Sequence, residues 1–128
     1  MKVACGVDII EIERVKESIE NIGKKFLERV FTDREIEYCE SKNVQKYQHY
    51  AARFAAKEAA FKAISANLDN KYSVCWKDFE VVNDEQGRPK MNLLNVNTEN
   101  IASVDVSISH CKLYATANVV VLYKGEDI

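Results

Sequence analysis

The sequence predicts an α+β fold: one domain over residues 1–128, with N-terminal helices lying on a C-terminal antiparallel sheet. Three observations carry that prediction. Apolar residues of the first half recur at helical spacing, whereas from Val74 onward the period falls to two. Helices come first and strands after, not the alternation that builds a wound parallel sheet. With 128 residues and 47% hydrophobic side chains, the chain is long enough for one core, and no linker or low-complexity stretch divides it.

The elements follow in order. Residues 3–10 are apolar and β-branched and read as a short buried strand; Glu11 opens a charged, helix-periodic stretch towards Phe31, broken near Gly23. Thr32-Asp33-Arg34-Glu35 has the Ser/Thr-x-x-Glu form in which a side chain and a backbone cap each other. A helix is expected to start there and to run to about Ser41. Polar residues 41–48 read as a loop, and a long helix over 50–66 is closed by a polar turn at 67–71. Residues 79–83 form a strand, 84–89 a turn and 90–93 the returning strand. Residues 104–109 alternate cleanly, and 113–123 supply a long partner after a short connection at 110–112.

Composition excludes several classes. Eighteen Lys and Arg against twenty Asp and Glu give a net charge of −2, so no nucleic-acid partner is expected and any anion recognition is local. Cys5, Cys39, Cys75 and Cys111 form no CxxC pair and no zinc-ligand spacing with a His. They read as small buried or partly buried thiols in a reducing compartment. No apolar run is long enough for a signal peptide or a membrane span, so a soluble, cytoplasmic protein with no membrane partner is expected.

Chemistry gathers in three places. Asp8 ends an apolar strand in Gly6-Val7-Asp8-Ile9, and a buried carboxylate needs a partner; it reads equally as a helix cap with Glu11 or as a metal ligand. Gly6 either lets a ligand approach the backbone or marks a bulge. In Arg53-Phe54-Ala55-Ala56-Lys57-Glu58-Ala59-Ala60-Phe61-Lys62-Ala63, Glu58 and Lys62 share a helix face that alanines leave thin enough for another backbone or a ligand. An ordinary i,i+4 ion pair is the bland alternative. Asp8 and Glu58 together would leave coordination sites open for water and phosphate, which suits Mg²⁺, and Lys62 would supply a point charge to the same phosphate. Third, Ser109 and His110 end an alternating strand and point to opposite faces, so they are no nucleophile–base pair; His110 is either a ligand contact or a hairpin residue with no role.

Taken in order, these three motifs resemble holo-acyl-carrier-protein synthase, the short bacterial class of 4′-phosphopantetheinyl transferases. The likeness extends through residues 26–32, 86–89 and 114–120, and so over nearly the whole chain. The resemblance implies the 4′-phosphopantetheinyl transferase fold and a Mg²⁺-dependent transfer of phosphopantetheine from coenzyme A to a serine of apo acyl carrier protein, in support of fatty acid biosynthesis. It implies Asp8 and Glu58 as Mg²⁺ ligands, Lys62 and His110 at the coenzyme A phosphates, Arg53 near the same cleft and Lys46 at the 3′-phosphate. Asp8, Glu58, Lys62 and His110 are then the catalytic set. It also implies a homotrimer with sites between subunits. Arg14, Lys24 and Lys25 lie on a locally basic helical stretch, and Arg14 matches a position with which the family grips its carrier. Two rivals use the same charged groups: a module that binds coenzyme A or carrier protein without transfer, and a Mg²⁺-dependent phosphohydrolase.

Overall fold

The computed structural model describes residues 1–65 and 74–125. Strand β1 (Lys2–Glu11) leads into helices α1 (Ile12–Ile22), α2 (Lys24–Val30), α3 (Asp33–Glu40) and the long α4 (Lys46–Ile64). Strands β2 (Phe79–Asn83), β3 (Pro89–Leu93), β4 (Ile101–His110) and β5 (Tyr114–Tyr123) follow. The α+β class is as expected, but the sheet is not one C-terminal unit. β2 and β3 pair separately, while the larger antiparallel sheet has the order β1-β5-β4 and draws one edge from the N-terminus. Ala115, Ala117, Val119 and Val121 of β5 are all buried at alternate positions, so β5 is the central strand and offers a ladder on both sides.

Local signals explain the helix boundaries. Thr32 Oγ1 accepts from Glu35 N at 3.3 Å while Thr32 N donates to Glu35 Oε1 at 2.9 Å, completing the reciprocal cap of α3. Gly23, at φ 76°, parts α1 from α2. α4 starts at Lys46, four residues before the expected position and directly after a 3₁₀ turn at Asn43–Gln45. Its first turn is polar and half-exposed, which hides the helical period. The expected end of this helix at Ala66 and the turn at 67–71 lie outside the described residues.

α4 organises the core. Ala55, Ala56, Ala59, Ala60 and Ala63 lie against Val106, Ala117, Val119 and Val121, whereas Tyr50, Ala51 and Ala52 join Ile12, Val15, Ile19 and Phe31 of the N-terminal half. The tightest crossing is at Gly6, where an added Cβ would stand 2.0 Å from the Ala59 carbonyl oxygen. The close approach therefore serves a helix and not a ligand, and unbroken β1–β5 register through Gly6 rules out the bulge. Odd-numbered residues of β1 point the other way. Val3, Val7 and Ile9 are 63, 59 and 65% exposed, with Val120 of β5 on the same outer face. Cys5 shares that face, and of the four thiols expected to be buried or partly buried only Cys39 is; Cys75 and Cys111 are exposed too. Burial pushes the Cys39 thiol up to about 12. No helix among the described residues is long and apolar enough to cross a membrane.

Candidate active site

Strand alternation turns Asp8 inward, towards α4, between the outward Val7 and Ile9. Lys62 Nζ donates to Asp8 Oδ1 at 3.1 Å and to the Val7 carbonyl at 3.0 Å. Asp8 Oδ2 is buried and receives no hydrogen bond among the described residues. The capping alternative fails, because α1 begins only at Ile12 and its N-cap is Glu11. An orphaned buried carboxylate oxygen is costly, and it is a ready ligand for a hard cation.

Glu58 sits one turn before Lys62 on α4, yet the described salt bridges do not pair them: Lys62 turns to Asp8, and Glu58 Oε1 accepts from the indole Nε1 of Trp76. The bland i,i+4 reading is thereby corrected. A cleft of about 450 Å³ opens beside Glu58, walled by Phe61, Val74, Trp76 and Phe79. The orphaned Asp8 Oδ2 and the carboxylate of Glu58 are oxygen donors of the kind Mg²⁺ takes, and the Lys62 ammonium beside Asp8 suits a phosphate.

Lys57, one residue from Glu58, faces the interior. Its ammonium has three acceptors: Glu35 Oε1 at 2.6 Å, the Phe79 carbonyl at 2.6 Å and the Trp76 carbonyl at 3.1 Å. Glu35 is filled as well, by Thr32 N and Lys57 at Oε1 and by Val81 N at Oε2. Burial pulls the Lys57 pKa down and the Glu35 carboxylate opposes it. Sequence reading missed this pair and Trp76. A signal existed for Lys57, since Tyr50, Arg53, Lys57, Ala60 and Ile64 recur at spacings of three and four and all are buried.

The other expected residues lie elsewhere. His110 ends β4 with its ring 6.1 Å from that of His49, thirteen residues before Lys62, or about 20 Å along the helix axis. The described contacts of one chain do not bring His110 to Asp8, Glu58 or Lys62. Burial first, then the charges of Arg53, Lys42 and His110, lower the His49 pKa. Arg53 is interior at 3% exposure, its guanidinium stacked 4.0 Å from the Tyr38 ring centre and donating to Asn83 Oδ1 at 2.7 Å. Lys46 belongs to the first turn of α4 rather than to a loop, and pairs with Glu40 at 3.3 Å. Arg14 lines a second cleft, of about 340 Å³, with Ile9, Val15, Phe26 and Phe54. Lys24 and Lys25 open α2, Lys24 making only an exposed pair with Glu28 at 3.6 Å.

Helices on an antiparallel sheet, with an inward strand carboxylate facing a Lys-Glu-x-x-x-Lys helix, define the class, and the family model described as 4′-phosphopantetheinyl transferase superfamily matches residues 4–119. The chain belongs to that superfamily and is an enzyme of its transferase class. Within it, the likeness is to holo-[acyl-carrier-protein] synthases. That of Ruminiclostridium cellulolyticum is 44% identical over 126 residues, covering 94% of this chain and 92% of the relative. Among solved structures, the ACPS–CoA complex of Chronobacterium ammoniagenes superposes with a TM-score of 0.81 at 30% identity, covering 98% of this chain and 100% of its own. The Helicobacter pylori synthase in complex with coenzyme A gives 0.80 at 31% identity, covering 92% and 99%.

Proposed function

We propose that this chain, as one domain over residues 1–128, transfers 4′-phosphopantetheine from coenzyme A to a serine of apo acyl carrier protein in the cytoplasm, releasing adenosine 3′,5′-bisphosphate and supporting fatty acid biosynthesis. The observation that carries the reading is the buried, undonated Oδ2 of Asp8 beside the Lys62 ammonium. Mg²⁺ held by Asp8 and Glu58 would supply Lewis-acid charge to the coenzyme A pyrophosphate. Charge in phosphoryl transfer gathers on nonbridging and leaving oxygens, so a positioned cation does much of the catalysis. Lys62, on the Glu58 face of α4, brings such a charge. His110 and Lys46, with Arg53 behind them, serve the remaining coenzyme A phosphates.

The active unit in this reading is a homotrimer with sites between subunits. The uncovered row of Val3, Val7, Ile9 and Val120 supports it as an apolar surface suited to burial between copies. So does the distance of His110 from Lys62 within one chain, because two chains can then supply the two ends of one substrate. Light scattering of the active protein is expected to give three times the chain mass; full activity from a monomer overturns this part. Arg14, Lys24 and Lys25 receive the acidic carrier at the edge of the cleft by Phe26 and Phe54. Arg14→Glu with Lys24→Glu is expected to raise the Michaelis constant for carrier and to weaken its salt dependence, with that for coenzyme A unmoved.

The deciding experiment incubates the protein with coenzyme A, Mg²⁺ and apo carrier protein, and weighs the carrier by mass spectrometry. A phosphopantetheine increment is expected. Coenzyme A breakdown without it would make the protein a hydrolase, and neither product would leave a binding module.

A further inference from the structure

Trp76 is the only tryptophan of the chain, and it is held at three points. Lys57 Nζ donates to its carbonyl at 3.1 Å, its ring lies 5.9 Å from that of Phe54, and its indole N–H is donated to Glu58 Oε1. The residue before it is tied down as well, Cys75 N donating to Asp78 Oδ2 at 2.8 Å and Asp78 N to the Cys75 carbonyl at 3.0 Å. Consecutive residues of α4 thus grip Trp76 from two sides: Lys57 fixes its backbone and Glu58 accepts from its side chain.

We propose that Trp76 is a positioning residue for Glu58, its indole N–H holding one carboxylate oxygen so that the other is left, in a fixed direction, for the cation. The proposal rests on the reading that Glu58 is a cation ligand. Groups that bond a ligand from behind fix its rotamer and sharpen its affinity, and losing such a group typically costs about 10–100-fold in metal affinity or activity. Trp76 owes its own place to the Lys57–Glu35 pair, so the filled interior of α4 sets the geometry of its exposed side.

Two measurements test this. In the wild-type protein the single indole N–H gives one ¹H–¹⁵N signal, and Glu58→Gln is expected to move it upfield, since a neutral amide is a weaker acceptor than a carboxylate. An unmoved signal overturns the proposal. Second, Trp76→Phe keeps an aromatic ring beside Phe54 and removes the donor. With coenzyme A present and Mn²⁺ as the probe, followed by the paramagnetic resonance of the free ion, this variant is expected to bind about 10–100-fold more weakly, while saturating Mg²⁺ restores most of kcat. Unchanged Mn²⁺ affinity, or a kcat deficit that Mg²⁺ does not restore, overturns the positioning role. The underlying reading fails separately, if Glu58→Gln binds Mn²⁺ as tightly as wild type.

Discussion

Two lysine–carboxylate pairs sit on one helix and have opposite characters. Lys57 and Glu35 are both fully buried, 2.6 Å apart, and every lone pair and proton of consequence has a partner. Lys62 and Asp8 are 3.1 Å apart, the lysine 52% exposed, and one oxygen of the carboxylate has no donor among the described residues. A satisfied pair does nothing further; an unsatisfied one has chemistry left to offer. Charge alone does not separate the two, since the more deeply buried pair is the one whose bonds are all made.

The largest effect is expected from breaking the closed pair. Lys57→Met leaves Glu35 buried with its charge uncompensated and is expected to cost about 3–5 kcal/mol of stability, read from the urea midpoint. Adding Glu35→Leu should recover part of that loss, because an apolar replacement of both partners removes the stranded charge. Asp8→Asn tests the open pair from the other side: transfer is expected to fall about 10²-fold or more, while unfolding changes by under about 1 kcal/mol. An equal loss of stability from Asp8→Asn and from Lys57→Met would erase the distinction. Lys62→Met should leave the urea midpoint nearly where it is and lower kcat more than it raises the Michaelis constant for carrier, since a pair whose lysine is half-exposed contributes at most about 1 kcal/mol to folding.

The smallest effect lies at the start of the same helix. The folded-state pKa of His49 is below its ordinary 6.5, from burial and from Arg53, Lys42 and His110, with the neutral Tyr38 ring against its edge. As pH falls through that window the unfolded chain takes up the proton and the folded chain resists, so stability should decline on acidification and be flat above it. His49→Gln should flatten the urea midpoint between about pH 7.5 and about pH 5.5 relative to wild type.

The same contrast separates what the sequence makes legible from what it does not. Local signals were readable: the cap at Thr32 and Glu35, the break at Gly23 and the two-residue period of β4 and β5 all act through neighbours in the chain. The sequence leaves Asp8 open between cap and ligand; the start of α1 at Ile12 removes the cap, and the contact of Asp8 with Lys62 spans 54 residues. The partner of Glu58 was invisible, Trp76 lying in a different element 18 residues on. Glu35 was read only as a capping residue. Its carboxylate performs that task with one oxygen and accepts from Val81, 46 residues away, with the other. Spacing marks the charged residues of α4, and tertiary contacts divide them into those whose bonds are all made and those left open.

The strand order has a further consequence, for synthesis. β1 pairs only with β5, and the Thr116 hydroxyl reaches the Asp8 carbonyl across 108 residues of chain. At roughly 5–20 residues per second on the ribosome, β1 waits several seconds for its neighbour, unpaired along its whole length. In that interval Glu58 and Lys62 can already stand on a formed helix, but β1 lacks the ladder that holds Asp8 in register opposite them. β1 therefore takes its final register last, when β5 emerges beside it. A nascent chain that stalls before Tyr114 already carries Asp8, Glu58, Lys62 and His110 but lacks the central strand that holds β1 and β4 in register.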